Sequence, residues 1–144
     1  MNANLSRIDT SLVDLDFLAD IEELLNLQPD TFVATEAWRD GARETALHAA
    51  YLADPEHAPK ATDPANSAHV GANFPDGRAR AVDVTLVRDG RDVWEKDEDA
   101  RAPKDPGWQA LLAAILAHPR LHSLVSIGDY DHIEKLHWQR DRTA

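Results

Sequence analysis

Residues 81–87, AVDVTLV, alternate with a period of two, so Val82, Val84 and Leu86 share one side of an extended chain and Ala81, Asp83 and Thr85 the other. A helix would scatter these residues around its axis, and only a strand gathers the apolar ones on one face. The strand carries an acid at its centre. A turn-rich stretch that begins with a histidine, His69 to Arg80, runs directly into it.

The rest of the chain supplies elements to pack around this strand. Val13, Phe17, Leu18, Ile21, Leu24 and Leu25 recur at helical spacing, with Pro29 just beyond, which predicts an amphipathic helix over about 10–27. Thr31 to Arg39 is short and rich in β-formers, and Asp40 is placed to cap a helix running to about Ala53. Asp54 to Asn66 is proline-rich and aperiodic, and Arg91 to Lys104 is a charged loop. Asp105, Pro106 and Gly107 then start a helix whose apolar positions are Trp108, Leu111, Leu112, Ile115 and Leu116, and Pro119 stops it. Ser123 to Gln139 reads as a strand, a Gly128-Asp129 turn and a final strand. Strands and helices mix without a βαβ repeat, so the expected fold is α+β, a small, mainly antiparallel sheet with flanking helices. A single domain over 1–144 is expected, its core spanning about 31–140.

The chain has no cysteine, which excludes disulfides, thiolate metal sites and a cysteine nucleophile. Any metal must be held by His, Asp or Glu. A formal net charge of -11 disfavours nucleic acid and anionic membrane as partners. There is neither a signal-peptide pattern at the N-terminus nor an apolar run of membrane-spanning length. Synthesis in the cytoplasm is therefore expected, and the expected state is a monomer.

Of the seven histidines, His118 and His122 stand four apart, but Pro119 between them breaks a helical metal pair. His48 and His57 form no metal spacing and read as solvated surface. His69, Asp83 and His137 differ, because each lies in or beside a strand or turn, and Glu134 precedes His137 by three. A hydrolytic zinc takes about three such ligands, keeps one position for water, and works with a carboxylate that is not a ligand. Two histidines and two acids are a common inventory, and residue types alone leave Asp83 free to be a solvated strand acid.

Ser67-Ala-His69, then GRARAVDV, then Glu134-Lys-Leu-His137-Trp138, in this order, resemble the motifs of the zinc D-alanyl-D-alanine carboxypeptidase and L-alanyl-D-glutamate peptidase family, which includes phage endolysins. That family's pattern is Ser-x-His, a Gly-x-Ala-x-Asp segment, and a closing acid-x-x-His followed by an aromatic. The resemblance covers about Thr35 to Gln139. It implies a hedgehog and DD-peptidase-like fold, zinc held by His69, Asp83 and His137, and Glu134 as general base. Arg39, in EAWRD ahead of a helix, matches the family's arginine and would steady the scissile carbonyl or a substrate carboxylate. Ser67 would orient the site. His132 is the rival inside it, a residue that would steady a ligand from behind or touch substrate, since His132-Ile-Glu134 resembles a His-x-His ending with the second histidine replaced. The chain departs from the family in the thirteen residues between His69 and Asp83, a longer run than is common, and in Ala79, which stands where a glycine is expected. An ideal strand would also put Glu134 and His137 on opposite faces, which predicts that Glu134 lies in the turn before the strand.

The implied activity is zinc-dependent hydrolysis of amide bonds in peptidoglycan stem peptides, as an L-alanyl-D-glutamate endopeptidase or a D-alanyl-D-alanine carboxypeptidase. Arg39, Arg78 and Arg80 would offer local positive charge to substrate carboxylates. Without an export signal the enzyme would reach the wall after release, as endolysins do. The alternatives are a non-catalytic domain that binds zinc or wall peptides, a phage structural component among them, and a metal phosphoesterase, which would need two metals.

Overall fold

The computed structural model describes residues 3–56, 66–93, 105–124 and 129–142. In chain order the elements are α1 (Leu15–Asn26), β1 (Thr31–Glu36), α2 (Gly41–Ala53), β2 (Ala81–Arg88), β3 (Arg91–Val93), α3 (Pro106–Ala117), β4 (Leu121–Leu124) and β5 (Asp129–Lys135). The expected charged loop and the Gly128 half of the expected Gly-Asp turn fall largely on 94–104 and 125–128, outside the described residues, as does most of the proline-rich loop at 57–65.

Aspartates set where the helices begin. Asp14, Asp40 and Asp105 accept the main-chain N–H groups of Phe17, Arg43 and Gly107, donors that a helix start leaves without partners. The first helix thus starts at Leu15 rather than near Thr10. Thr10–Leu12 forms a separate 3-10 turn, and Val13 bridges to Ala79.

All strand pairs are antiparallel, in the order β1-β2-β5-β4, with β3 paired to the far end of β2. The arrangement is α+β, as expected. β2 sits centrally, and its two faces pack differently. Val82, Val84 and Leu86 join Phe17, Ile21, Leu24 and Leu25 of α1, Phe32 of β1, Trp108, Leu111 and Ile115 of α3 and Ile133 of β5 in the main core. Phe32 and Trp108 meet edge to face with ring centroids 5.1 Å apart. On the opposite face Ala81 packs with Ala68, Phe74 and Trp138 in a second, smaller cluster. The acid-bearing face of β2 is therefore covered rather than bathed in water.

Register places the polar residues on that second face. Asp83 lies opposite Glu36 on one side and His132 on the other, while Ala81 lies opposite Glu134. His132 and Glu134 share a face because they are two apart, and Ile133 between them points into the main core. Among the described residues, no helix is long and apolar enough to cross a membrane.

Candidate metal centre

Three side chains converge on one point of this face. His69 Nε2 stands 3.2 Å from His132 Nδ1 and 3.3 Å from Asp83 Oδ1, and His132 Nδ1 stands 3.0 Å from Asp83 Oδ1. Among the described residues these three form the cluster able to hold a metal ion. Donor atoms about 2.0–2.1 Å from a tetrahedral ion stand about 3.3 Å apart, so this near-equilateral triangle fits one face of a zinc tetrahedron. Two imidazoles and a carboxylate also suit zinc chemically.

Each donor is held from behind. The Ala37 carbonyl accepts from His69 Nδ1 at 2.5 Å, so the proton sits on Nδ1 and the Nε2 lone pair faces the centre. Arg39 Nη2 donates to Asp83 Oδ2 at 3.0 Å and leaves Oδ1 facing inward. Glu134 Oε2 lies 3.2 Å from His132 Nε2 and directs His132 Nδ1 to the same point. The segment carrying His69 is fixed by the Ser67 hydroxyl, which accepts the His69 N–H at 3.2 Å, and by the His69 carbonyl, which accepts the Arg39 N–H at 2.9 Å.

The charges are coupled. Burial favours the uncharged form of Asp83, but its interactions with His69 and His132 outweigh it and hold the carboxyl well below the usual range. Burial opposes charge on His132 too, yet hydrogen bonds to Asp83 and Glu134 and their charges push it up to about 10. In the metal-free protein His132 is thus an imidazolium between two carboxylates.

His137 is not in this cluster. β5 continues through Glu134 to Lys135 and then leaves the sheet, so Glu134 lies in the strand and the turn follows it. His137 sits exposed in that turn with φ +60°, and Trp138 after it packs into the small apolar cluster. The place expected for His137 is taken by His132. The sequence held a signal for this, because Asp129 precedes His132 by three, the same acid-x-x-His spacing that Glu134 and His137 show.

Arg39 has a full set of partners. Its Nε and Nη2 grip Glu36 at 2.8 and 3.0 Å, Nη1 reaches Glu44 at 3.0 Å, and Nη2 reaches Asp83. Arg80 is likewise buried and bound to Asp76 and Asp141, with its guanidinium 4.2 Å over the Phe74 ring. Neither arginine therefore offers unneutralised charge to a substrate. The long connection between His69 and Asp83 is an ordered structure: Gly71–Asn73 forms a 3-10 turn, Trp38 donates to the Gly77 carbonyl at 3.1 Å, and Arg80 clamps Asp76. It brings Asp83 back within 3.3 Å of His69.

No protein-family model matches the chain. Among solved structures it is similar to the Serratia marcescens L-Ala D-Glu endopeptidase ChiX, with a TM-score of 0.59 over 90% of this chain and 84% of that chain, at 19% sequence identity. The two chains share a fold. A 39-residue stretch, 27% of the chain, is 44% identical to part of zinc finger C3HC-type protein 1 of Mus musculus and spans 8% of that protein's length. With no cysteine, this chain cannot build a finger of that type.

Proposed function

We propose that this protein is a zinc-dependent peptidase acting on peptidoglycan stem peptides, with the metal held by His69, Asp83 and His132. The observation that carries the reading is the triangle of donor atoms, each fixed from behind, on a fold shared with an L-Ala D-Glu endopeptidase. Zinc bound there would polarise a peptide carbonyl and make water a nucleophile at neutral pH. Three convergent donors leave a tetrahedral ion one open position, which favours catalysis over a closed structural site.

This chain's own residues prepare that chemistry. Ala37, Arg39 and Glu134 keep the three donors aimed, and the ring proton of His132 must leave before Nδ1 can ligate. The resemblance makes Glu134 the base, but its Oε2 is engaged with the ring nitrogen of His132 that points away from the centre. We therefore assign Glu134 to orienting His132, and on the acid-x-x-His spacing of the sequence alone we propose Asp129 for proton transfer. Ser67 shapes the His69 turn through its hydroxyl.

An endopeptidase fits better than a carboxypeptidase. A carboxypeptidase must hold a free terminal carboxylate, and the site's arginine, Arg39, is already neutralised by Glu36, Glu44 and Asp83. The test is elemental analysis of the purified protein and its Asp83→Ala variant, with mass spectrometry of peptidoglycan fragments released by the wild type, Asp129→Asn and Glu134→Gln. The expected result is about one zinc per chain, lost in Asp83→Ala. New amino termini should form on stem peptides, and cleavage should vanish in Asp129→Asn while zinc is kept. Zinc without cleavage would point to a wall-peptide-binding domain, and a wild type without zinc would sink the proposal.

A further inference from the structure

Glu44 is 1% exposed, in the first turn of α2, and it is a carboxylate among otherwise mainly exposed helix positions. Burying such a group is costly unless it is paired, so its presence asks for a reason. Its partner is Arg39: Nη1 donates to Glu44 Oε2 at 3.0 Å, and Nη2 of the same guanidinium donates to Asp83 Oδ2 at 3.0 Å. The main chain of Arg39 is tied to the other side of the centre, its N–H bonded to the His69 carbonyl and its residue bridged to Val70.

We propose that Glu44 is a positioning residue for the metal ligand Asp83, acting through Arg39; this rests on the metal reading of the site. The geometry supplies the means. A guanidinium is planar, and its donors point in fixed directions, so holding it on opposite edges by Glu36 and Glu44 fixes where Nη2 meets Asp83. With Oδ2 engaged by Arg39, Oδ1 is the oxygen that faces the two imidazoles and would be offered to a metal.

Charge supplies the motive. Arg39 and its outer neighbour Arg43 face three carboxylates, Glu36, Glu44 and Asp83, which leaves one negative charge in excess in this group. Had Arg39 served only to neutralise Asp83, a second buried acid would weaken that service. An acid that draws the guanidinium's charge away from Asp83 instead leaves the ligand oxygen more negative, which favours a cation at the centre.

The experiment measures zinc affinity by chelator competition, at a temperature where every protein is folded, for wild type, Glu44→Gln, Arg39→Lys and the double variant. The visible spectrum of each cobalt-substituted protein is recorded alongside. Glu44→Gln keeps the shape and removes the charge, and it should weaken zinc by roughly tenfold and alter the cobalt spectrum. Because Glu44 acts through Arg39, the double variant should bind about as weakly as Arg39→Lys alone. Should Glu44→Gln fail to fold, Glu44→Asp, which keeps the charge but withdraws it by one methylene, carries the same expectation. Zinc affinity within about twofold of wild type, or independent effects that multiply in the double variant, would overturn the inference. A wild type that binds no zinc overturns the metal reading itself, whereas equally tight zinc in wild type and variant overturns the role of Glu44 alone.

Discussion

At the scale of single residues, the centre depends on which nitrogen of each histidine faces inward. His132 presents Nδ1, with Nε2 against Glu134, so His132→Ala removes a donor, while His137→Ala removes an exposed side chain after the strand. The expected result is loss of bound zinc in His132→Ala and retention in His137→Ala, read by elemental analysis of dialysed protein. The charge state of His132 adds a pH dependence. Its folded pKa, pushed up to about 10 from 6.5, means that in the metal-free protein its pairing stabilises the fold fully below about pH 6.5 and is lost as pH rises through about 10. Asp83 runs the other way: its lowered pKa gives stability present above its ordinary value and lost as pH falls below it. Zinc binding at the proposed site would have to displace the His132 proton, so its affinity should rise about tenfold per pH unit between roughly pH 7 and 9, measured by chelator competition. A flat profile would mean that His132 enters as a neutral ring. His69 and Asp83 were legible in the sequence because a histidine before a loop and an acid inside an alternating strand are both anomalies with local explanations. His132 was harder to read, since Asp129 to His132 and Glu134 to His137 offer the same acid-x-x-His spacing, and only the end of β5 at Lys135 separates them.

At the scale of elements, the connection from His69 to Asp83 decides whether these two proposed ligands meet. It carries a tight packing point: a Cβ built on Gly71 would lie 2.2 Å from the Gly77 carbonyl oxygen and 2.3 Å from Trp38 Nε1. Backbone on one side and a hydrogen-bonded indole on the other leave no easy escape. Gly71→Ala is expected to destabilise the protein by about 1–3 kcal/mol through overpacking, and to weaken zinc because His69 lies two residues away. Thermal unfolding of the metal-free protein and chelator competition check the two effects; a variant unchanged in both would mean that the Trp38 contact is dispensable. The helices were legible almost to the residue at Asp40 and Asp105, where a capping side chain stands before a periodic run. α1 was read about five residues too long, because Val13 fits the helical period by sequence yet lies before the Asp14 cap, bridged to Ala79. Periodicity records which residues are buried, and a buried residue in a bridge satisfies it as well as one in a helix.

At the scale of the whole molecule, one sheet serves two purposes. Its main-core face, with α1 and α3 against it, buries most of the apolar surface, and its other face assembles charged side chains whose mutual attraction offsets the cost of their burial. The fold class was legible because alternation and helical period are local, whereas the pairing of Arg39 with Glu44 and Asp83 depends on contacts across β1, α2 and β2 that no local pattern records. This division predicts how metal and stability are linked. A ligand that binds the native state alone stabilises it by about 2.7 kcal/mol at one hundred times its dissociation constant. For a chain of 144 residues that corresponds to a rise of roughly 5–10 °C in the unfolding midpoint. Zinc should therefore raise the midpoint of the wild type by about that amount, while the Asp83→Ala variant, which keeps the main core but lacks a ligand, should show no rise. An equal rise in both proteins would place the stabilising ion elsewhere on this acidic surface and remove the link between the charged face of the sheet and metal binding.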